Sequence, residues 1–393
     1  MISDNIVKLP LTARTASAER LLIPAKLRNA RIKSRLNQSE LADCIGVSRQ
    51  AVSSYELGDK SPDPQVMIKI IQELGQPISY FTTKELPSFG ETGTKFYRSF
   101  GVKTKKLNNM SEVLGQWFVQ VTKYFDEFVN YPEVQLPDVS PATKNGRYSV
   151  EEIEYIATDL RKLWGLGFGP ISNLVRLVES KGIIVTRYEI SEAQIEAFSF
   201  WNGNKPFIFL SSIKESAVRS RFDVAHELGH IILHRGVDQV EIEDKETLKQ
   251  IESEANRFAG AFLLPMQSFP NEIFTTKLDA FRDLKLRWKV AIQAMIYRCK
   301  DLELFDDFQI TNLYKQISRK KWRKVEPFDD EFPFEQPRLL KRAVELVVDN
   351  DKKLPSEILA ELTLSKNEIE IFCQLPKDFF KEAQNFDVSP SLK

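Results

Sequence analysis

All three histidines of the chain, His226, His230 and His234, lie in one short run, and the first two frame the segment His226-Glu227-Leu228-Gly229-His230. On an α-helix, residues four apart differ by about 40° in direction and about 6 Å along the axis, so both imidazoles project from one face. Such a pair can hold one metal ion from a single helix, and Glu227 is then placed as general base for a water. The pattern constrains the fold. Val224, Leu228, Ile231 and Ile232 form an apolar stripe that must be buried, and Gly229 admits a close neighbour. The bland alternative is an amphipathic core helix that happens to carry two histidines. The H-E-x-x-H spacing argues for the metal.

Two histidines do not complete a zinc site, which needs a third protein ligand. His234 sits about 12 Å along the axis from His226 and is a poor third ligand. It reads as a histidine of the last helical turn, favoured there by the helix dipole, with Gly236 as the stop. The third ligand is expected from a second helix over 246–264, which carries Glu252, Glu254 and Asn256. Glu252 and Asn256 share a face, so Glu252 is the favoured ligand and Asn256 the residue that steadies a ligand histidine. Glu254 is the alternate ligand. Whichever of the two glutamates is not the ligand is expected on a solvated acidic face.

From Gly182 to Pro265 the chain resembles the ImmA/IrrE metallopeptidase family. The resemblance is carried by Gly182-Ile183-Ile184-Val185, Ala197-Phe198-Ser199-Phe200-Trp201 and Pro206-Phe207-Ile208-Phe209-Leu210. It continues through Arg221 to His230, Glu254 to Ala259, and Leu263-Leu264-Pro265. Where the family often has Thr-Leu before Ala-His-Glu, this chain has Asp223-Val224. The resemblance implies one Zn2+ per chain and an endopeptidase that cuts a repressor-type regulator.

The segment 195–212 reads as a β-hairpin turning at Asn202-Gly203-Asn204. Phe207 to Leu210 is either a sheet edge that takes substrate as an added strand or an ordinary buried strand. Tyr188 is a candidate for stabilising an oxyanion.

The N-terminus carries an independent signal. Helices are expected over 25–34, 38–45, 49–56 and 66–74, with Gly46-Val47 as a turn, Ser48 as a cap and Gly58 as a stop. Gln38-Ser39-Glu40-Leu41-Ala42, Gly46-Val47-Ser48 and Glu56-Leu57-Gly58 resemble the Xre family of lambda-repressor-like helix-turn-helix domains, with Asn37 in place of its usual Ser. In that arrangement the third helix enters the major groove. Arg49 suits guanine and Gln50 adenine. Ser48, Ser53 and Ser54 lie on the same approach, and Gln38 resembles the family's phosphate clamp. The alternative is a small protein-interaction module. Residues 1–82 hold eleven basic and eight acidic residues, a modest positive balance. Double-stranded operator DNA and a homodimer are the partners this module implies.

The 393 residues and 42% hydrophobic content support two or three cored domains, and the net charge is zero. Three scattered cysteines argue against a disulfide framework. With no secretory signal and no apolar run approaching a membrane span, a cytoplasmic location and no membrane partner are expected. The expected fold class is α+β multidomain: an all-α helix-turn-helix domain at 1–82, a helical linker at 83–150, a zincin-like α+β peptidase domain at 151–270 and a mostly helical region at 271–393. Phe96-Tyr97-Arg98-Ser99 and Trp322 to Pro327 resemble segments of long fusions of this kind. Residues 284–294 resemble a helix-turn-helix-like segment that follows the peptidase in that family, and packing is its expected role. The expected function is a DNA-binding transcriptional regulator whose zinc endopeptidase cuts a repressor or antitoxin-like protein. The alternatives are a regulator whose metal site senses without proteolysis, and an autoregulated toxin-antitoxin or phage-defence component.

Overall fold

The computed structural model describes residues 22–83, 96–97, 105–140, 147–189, 197–212, 216–237 and 244–380. The N-terminal helices are α1 (Pro24–Lys33), α2 (Gln38–Ile45), α3 (Arg49–Leu57), α4 (Pro64–Leu74) and α5 (Ile78–Thr82). Local chemistry sets their ends. Asn37 and Glu40 form a capping box on α2, and Gly46 closes that helix in the left-handed region at φ 72°. Ser48 Oγ accepts the Ala51 N–H at 3.2 Å to start α3, which stops at Gly58 with φ 81°. Leu27, Ala30, Leu41, Ala42, Ile45, Val52, Ile70 and Leu74 form the buried centre.

The sheet has the order β1-β3-β4-β2, with β1 (Phe96–Tyr97), β2 (Ile184–Tyr188), β3 (Ala197–Asn202) and β4 (Lys205–Ser211). β3 and β4 form the expected hairpin, closed over Gly203 at φ 59°. Phe207 to Leu210 is not an edge. β2 pairs with β4 in parallel, Ile184 opposite Phe207, while β3 takes the other side, so both rows of backbone groups on β4 are used. The edges are β2 and β1. The latter comes from the linker and pairs antiparallel with β3, Phe96 opposite Ser199.

Strand alternation gives the sheet two buried faces. Ile184, Tyr188, Phe198, Phe200, Phe207 and Phe209 point into one core. That core includes α6 (Lys105–Asp126), the N-terminal helices, and the C-terminal helices α14 (Leu339–Asp349), α15 (Pro355–Leu362) and α16 (Lys366–Phe372). Phe118 of α6 meets Phe207 and Phe209 edge-on at 5.4 and 6.0 Å and stacks on Phe372 at 5.7 Å. Helix α6 lies in the stretch expected as a helical linker and packs within its own chain.

Val185, Ala197, Ile208 and Leu210 point to the opposite face and a second core. Against it pack α7 (Val150–Leu163), α8 (Leu174–Ser180), α9 (Ala217–Leu233) and α10 (Lys245–Leu263). The segment read as helix-turn-helix-like is α11 (Ala280–Trp288) and α12 (Ile292–Asp301), joined through Lys289 at φ 53°. Phe281, Trp288, Met295, Ile296 and Cys299 bury it in the same core, beside Leu313 and Ile317 of α13 (Asp307–Arg319). Among the described residues, no helix is long and apolar enough to cross a membrane.

Candidate metal centre

The two halves of the site arrive on α9 and α10, whose close approach depends on Gly229. A Cβ at Gly229 would meet Phe258 Cδ1 at 3.1 Å and the Ala255 Cα and carbonyl oxygen at 3.3 Å. Arg161, fully buried, donates to the carbonyls of Phe262, Gly167 and Gly169 and anchors the end of α10. Arg298 donates to the Leu264 carbonyl at 3.0 Å and is held bidentately by Glu154 at 2.5 and 2.7 Å.

Within this frame His226, His230 and Glu252 converge, with one donor atom from each lying within 4.8 Å of the others. The two Nε2 atoms are 3.0 Å apart. Glu252 faces them with Oε2 at 3.3 Å from His226 and Oε1 at 3.6 Å from His230. Both carboxylate oxygens are buried and make no hydrogen bond to a described residue. Two ring nitrogens and an anionic oxygen converging on one buried point are the donor set a zinc ion requires.

The rings are held from behind. His226 Nδ1 lies 3.0 Å from Asn256 Oδ1, where the sequence placed Asn256. His230 Nδ1 lies 3.1 Å from His234 Nδ1. Burial pushes His230 down to about 4, so its imidazole is neutral and can offer a lone pair. Burial raises Glu252, but the two imidazoles beside it more than offset this and hold it well below the ordinary carboxylate range.

Glu227 is fully buried, and the Ser199 hydroxyl donates to its Oε2 at 2.7 Å. The sequence alone assigns Ser199 no role. Its signal was available: in Ala197-Phe198-Ser199-Phe200-Trp201 it is the polar residue on the face turned away from the phenylalanines.

Three expectations are corrected. Glu254 is not on a solvated face; it is buried, with Oε2 at 3.0 Å from His234 Nε2. His234 is not a charged dipole partner: burial pushes it down to about 4, and it caps α9 between His230 and Glu254. A helix that must bury two turns of histidines carries the third under cover as well. Tyr188 is turned to the other face of the sheet, where its hydroxyl donates to Glu368 at 3.0 and 3.2 Å.

In the N-terminal domain Arg49 and Gln50 are exposed on the first turn of α3, with Ser53 and Ser54 half-buried one turn on. Ser48 is exposed and spends its hydroxyl oxygen on the helix cap. Gln38 donates to Glu56 Oε2 at 3.0 Å, and Arg31 grips the same carboxylate at 2.5 and 2.9 Å. Gln38 is thereby oriented on the helix that opens the turn.

Comparison with known proteins agrees with this layout. Residues 178–300 match the IrrE N-terminal-like domain of the Peptidase_M78 family, and residues 27–81 match a helix-turn-helix family. The chain is 35% identical over 71 residues to the cryptic phage CTXphi transcriptional repressor RstR of Vibrio cholerae, covering 18% of this chain and 60% of that protein. It is 30% identical over 86 residues to the uncharacterized HTH-type transcriptional regulator YqaE of Bacillus subtilis (strain 168), covering 22% of this chain and 66% of that protein. A Mycobacterium tuberculosis transcriptional regulator of known structure is similar at 17% identity and a TM-score of 0.29, over 46% of this chain and 51% of that one, too distant to bear on the fold. The two matches lie in one chain and agree with a fusion of an Xre-like helix-turn-helix domain with an ImmA/IrrE-type domain.

Proposed function

We propose that this protein is a DNA-binding transcriptional regulator whose ImmA/IrrE-type domain is a zinc-dependent endopeptidase acting on a repressor or antitoxin-like protein. The observation that carries the reading is the convergence of His226, His230 and Glu252 beside Glu227, itself held by Ser199. His226, His230 and Glu252 would hold the zinc, which when bound supplies Lewis-acid polarisation of a peptide carbonyl. Glu227 takes the proton of the attacking water and returns it to the leaving amine. Ser199 fixes the Glu227 carboxylate, while Asn256 and His234 fix the rings.

The N-terminal domain supplies targeting. Helix α3 enters the major groove, with Arg49 and Gln50 on base edges and Gln38, Ser48, Ser53 and Ser54 around them. Paired half-sites call for a homodimer. The names of the matched relatives, a phage repressor and a regulator of the same helix-turn-helix type, support the DNA-binding half.

One observation favours a second reading, a metal-sensing regulator without proteolysis. His226 and Glu227 are 0% exposed and Glu252 is 2% exposed, so a peptide reaches the centre only after part of the cover moves. Wild type and Glu227→Gln, compared for metal content and for cleavage of proteins encoded beside this chain, separate the two. Stoichiometric zinc in both with fragments only from wild type establishes the peptidase. Zinc in both without fragments favours the sensor. Absence of zinc from both overturns the ligand assignment.

A further inference from the structure

We propose that His234 and Glu254 form a buried relay that fixes His230 for the metal, so that His234 is a positioning residue and Glu254 its anchor. The inference rests on the metal reading above and adds residues that the ligand pattern does not name.

Proton placement links the three side chains. If His230 offers its Nε2 lone pair toward Glu252 and the metal, its one ring proton must be on Nδ1. That Nδ1 lies 3.1 Å from Nδ1 of His234. His234 Nδ1 must then be the acceptor, which puts the His234 proton on Nε2. His234 Nε2 in turn lies 3.0 Å from Glu254 Oε2, and a carboxylate is an acceptor. Each step fixes the next: Glu254 accepts from His234, and His234 accepts from His230. With both protons moved to the opposite nitrogens, a bare His234 Nε2 would face a carboxylate oxygen, lone pair against lone pair. His230 would also direct an N–H at the place the metal needs.

The two ligand rings are therefore held differently. His226 leans on the neutral amide oxygen of Asn256 at 3.0 Å. His230 leans on an imidazole backed by a carboxylate. Carboxylate backing raises the basicity of a ligand ring, and outer partners of this kind change metal affinity by about 10–100-fold. All members of the relay are buried, with His230 and His234 1% and Glu254 4% exposed, so water does not substitute readily for a missing partner. The relay also joins the two helices of the site, because Glu254 and Glu252 both come from α10 while His230 and His234 come from α9 and its cap.

The chain contains three histidines, so a long-range 1H–15N spectrum of the zinc-loaded, 15N-histidine-labelled full chain resolves every ring in the protein. The expected pattern is a proton on Nδ1 of His226 and His230 and on Nε2 of His234, assigned by single substitutions. A proton on Nδ1 of His234 overturns the proposal alone. Wild type that takes up no zinc overturns it together with the metal reading. His234→Phe is expected to lower zinc affinity by about 10–100-fold in chelator competition. Glu254→Gln, which keeps an acceptor, is expected to preserve the proton pattern with a smaller loss. Unchanged zinc affinity in folded His234→Phe overturns the relay. If that variant does not fold, the wild-type spectrum still decides.

Discussion

Lys33 of the helix-turn-helix domain and Glu368 of α16 form an ion pair, with the Glu368 side chain only 4% exposed. The same carboxylate accepts the Tyr188 hydroxyl from β2. Gln76 reinforces the junction by accepting the Ser365 backbone N–H at 3.0 Å. One carboxylate thus touches the helix-turn-helix domain, the sheet and the C-terminal helices. Glu368→Ala leaves a buried tyrosine hydroxyl without its acceptor, a loss of about 1.5–3 kcal/mol for a bond to a charged group. A lower Tm and faster proteolysis at the domain junction are expected. A double-mutant cycle with Lys33→Ala that returns no coupling contradicts the assignment.

Gly229→Ala tests the approach of α9 and α10. Alanine raises helix propensity by about 1 kcal/mol, while overpacking against Phe258 and the Ala255 backbone costs about 1–3 kcal/mol. The neighbours at 3.3 Å are backbone and cannot rotate away, so the cost wins. Lower Tm together with weaker zinc binding is the expected result; a more stable protein with full zinc content would show that the helices have room.

Ser199→Ala removes the hydrogen bond to Glu227 while leaving the metal-facing donors in place. A hydrogen bond to a charged group contributes about 1.5–3 kcal/mol, and its loss corresponds to roughly 10- to 150-fold in kcat. Zinc content is expected to stay stoichiometric. Unchanged turnover would mean that the hydroxyl does not hold the general base.

Glu179 supplies a pH signature away from the site. Its buried carboxyl accepts the N–H groups of Arg338 and Leu339 at the start of α14. Burial pushes it up to about 7 from an ordinary 4.5, with those N–H groups opposing the rise. The folded state therefore holds this proton up to about pH 7 while the unfolded chain releases it near 4.5. Stability contributed here is present at low pH and falls as pH rises between those values, by about 3 kcal/mol, then levels off. Thermal unfolding from pH 4.5 to 8 should show this slope in wild type and lose it in Glu179→Gln.

Arg49→Ala tests base readout. Loss of a bidentate contact to guanine costs about 1–3 kcal/mol and relaxes preference at one base pair. Competition mobility shifts with operator variants measure it. A uniform loss across all sequences would instead identify Arg49 as a phosphate contact.

The histidine-bearing helix, its partner helix and the caps of the N-terminal domain were legible because they depend on local periodicity and capping chemistry. His226 and His230 share a face by helical geometry alone, with Glu227 next to the first of them, and Asn37, Ser48 and Gly58 mark their helices by hydrogen bonding and backbone freedom. Sequence spacing also put Glu252 and Asn256 on one side of α10. It could not say how α10 would lie against α9, and that angle decided whether Glu254 met water or His234. Strand order was likewise out of reach. Whether Phe207 to Leu210 lay at an edge depended on β2 reaching β4 across the chain, and on Phe96–Tyr97 pairing with Ser199. Periodicity reports which face of an element is buried, whereas the neighbour that buries it is chosen by packing between segments distant in sequence. That is why Ser199, His234 and Glu368 acquire their roles only in the folded chain.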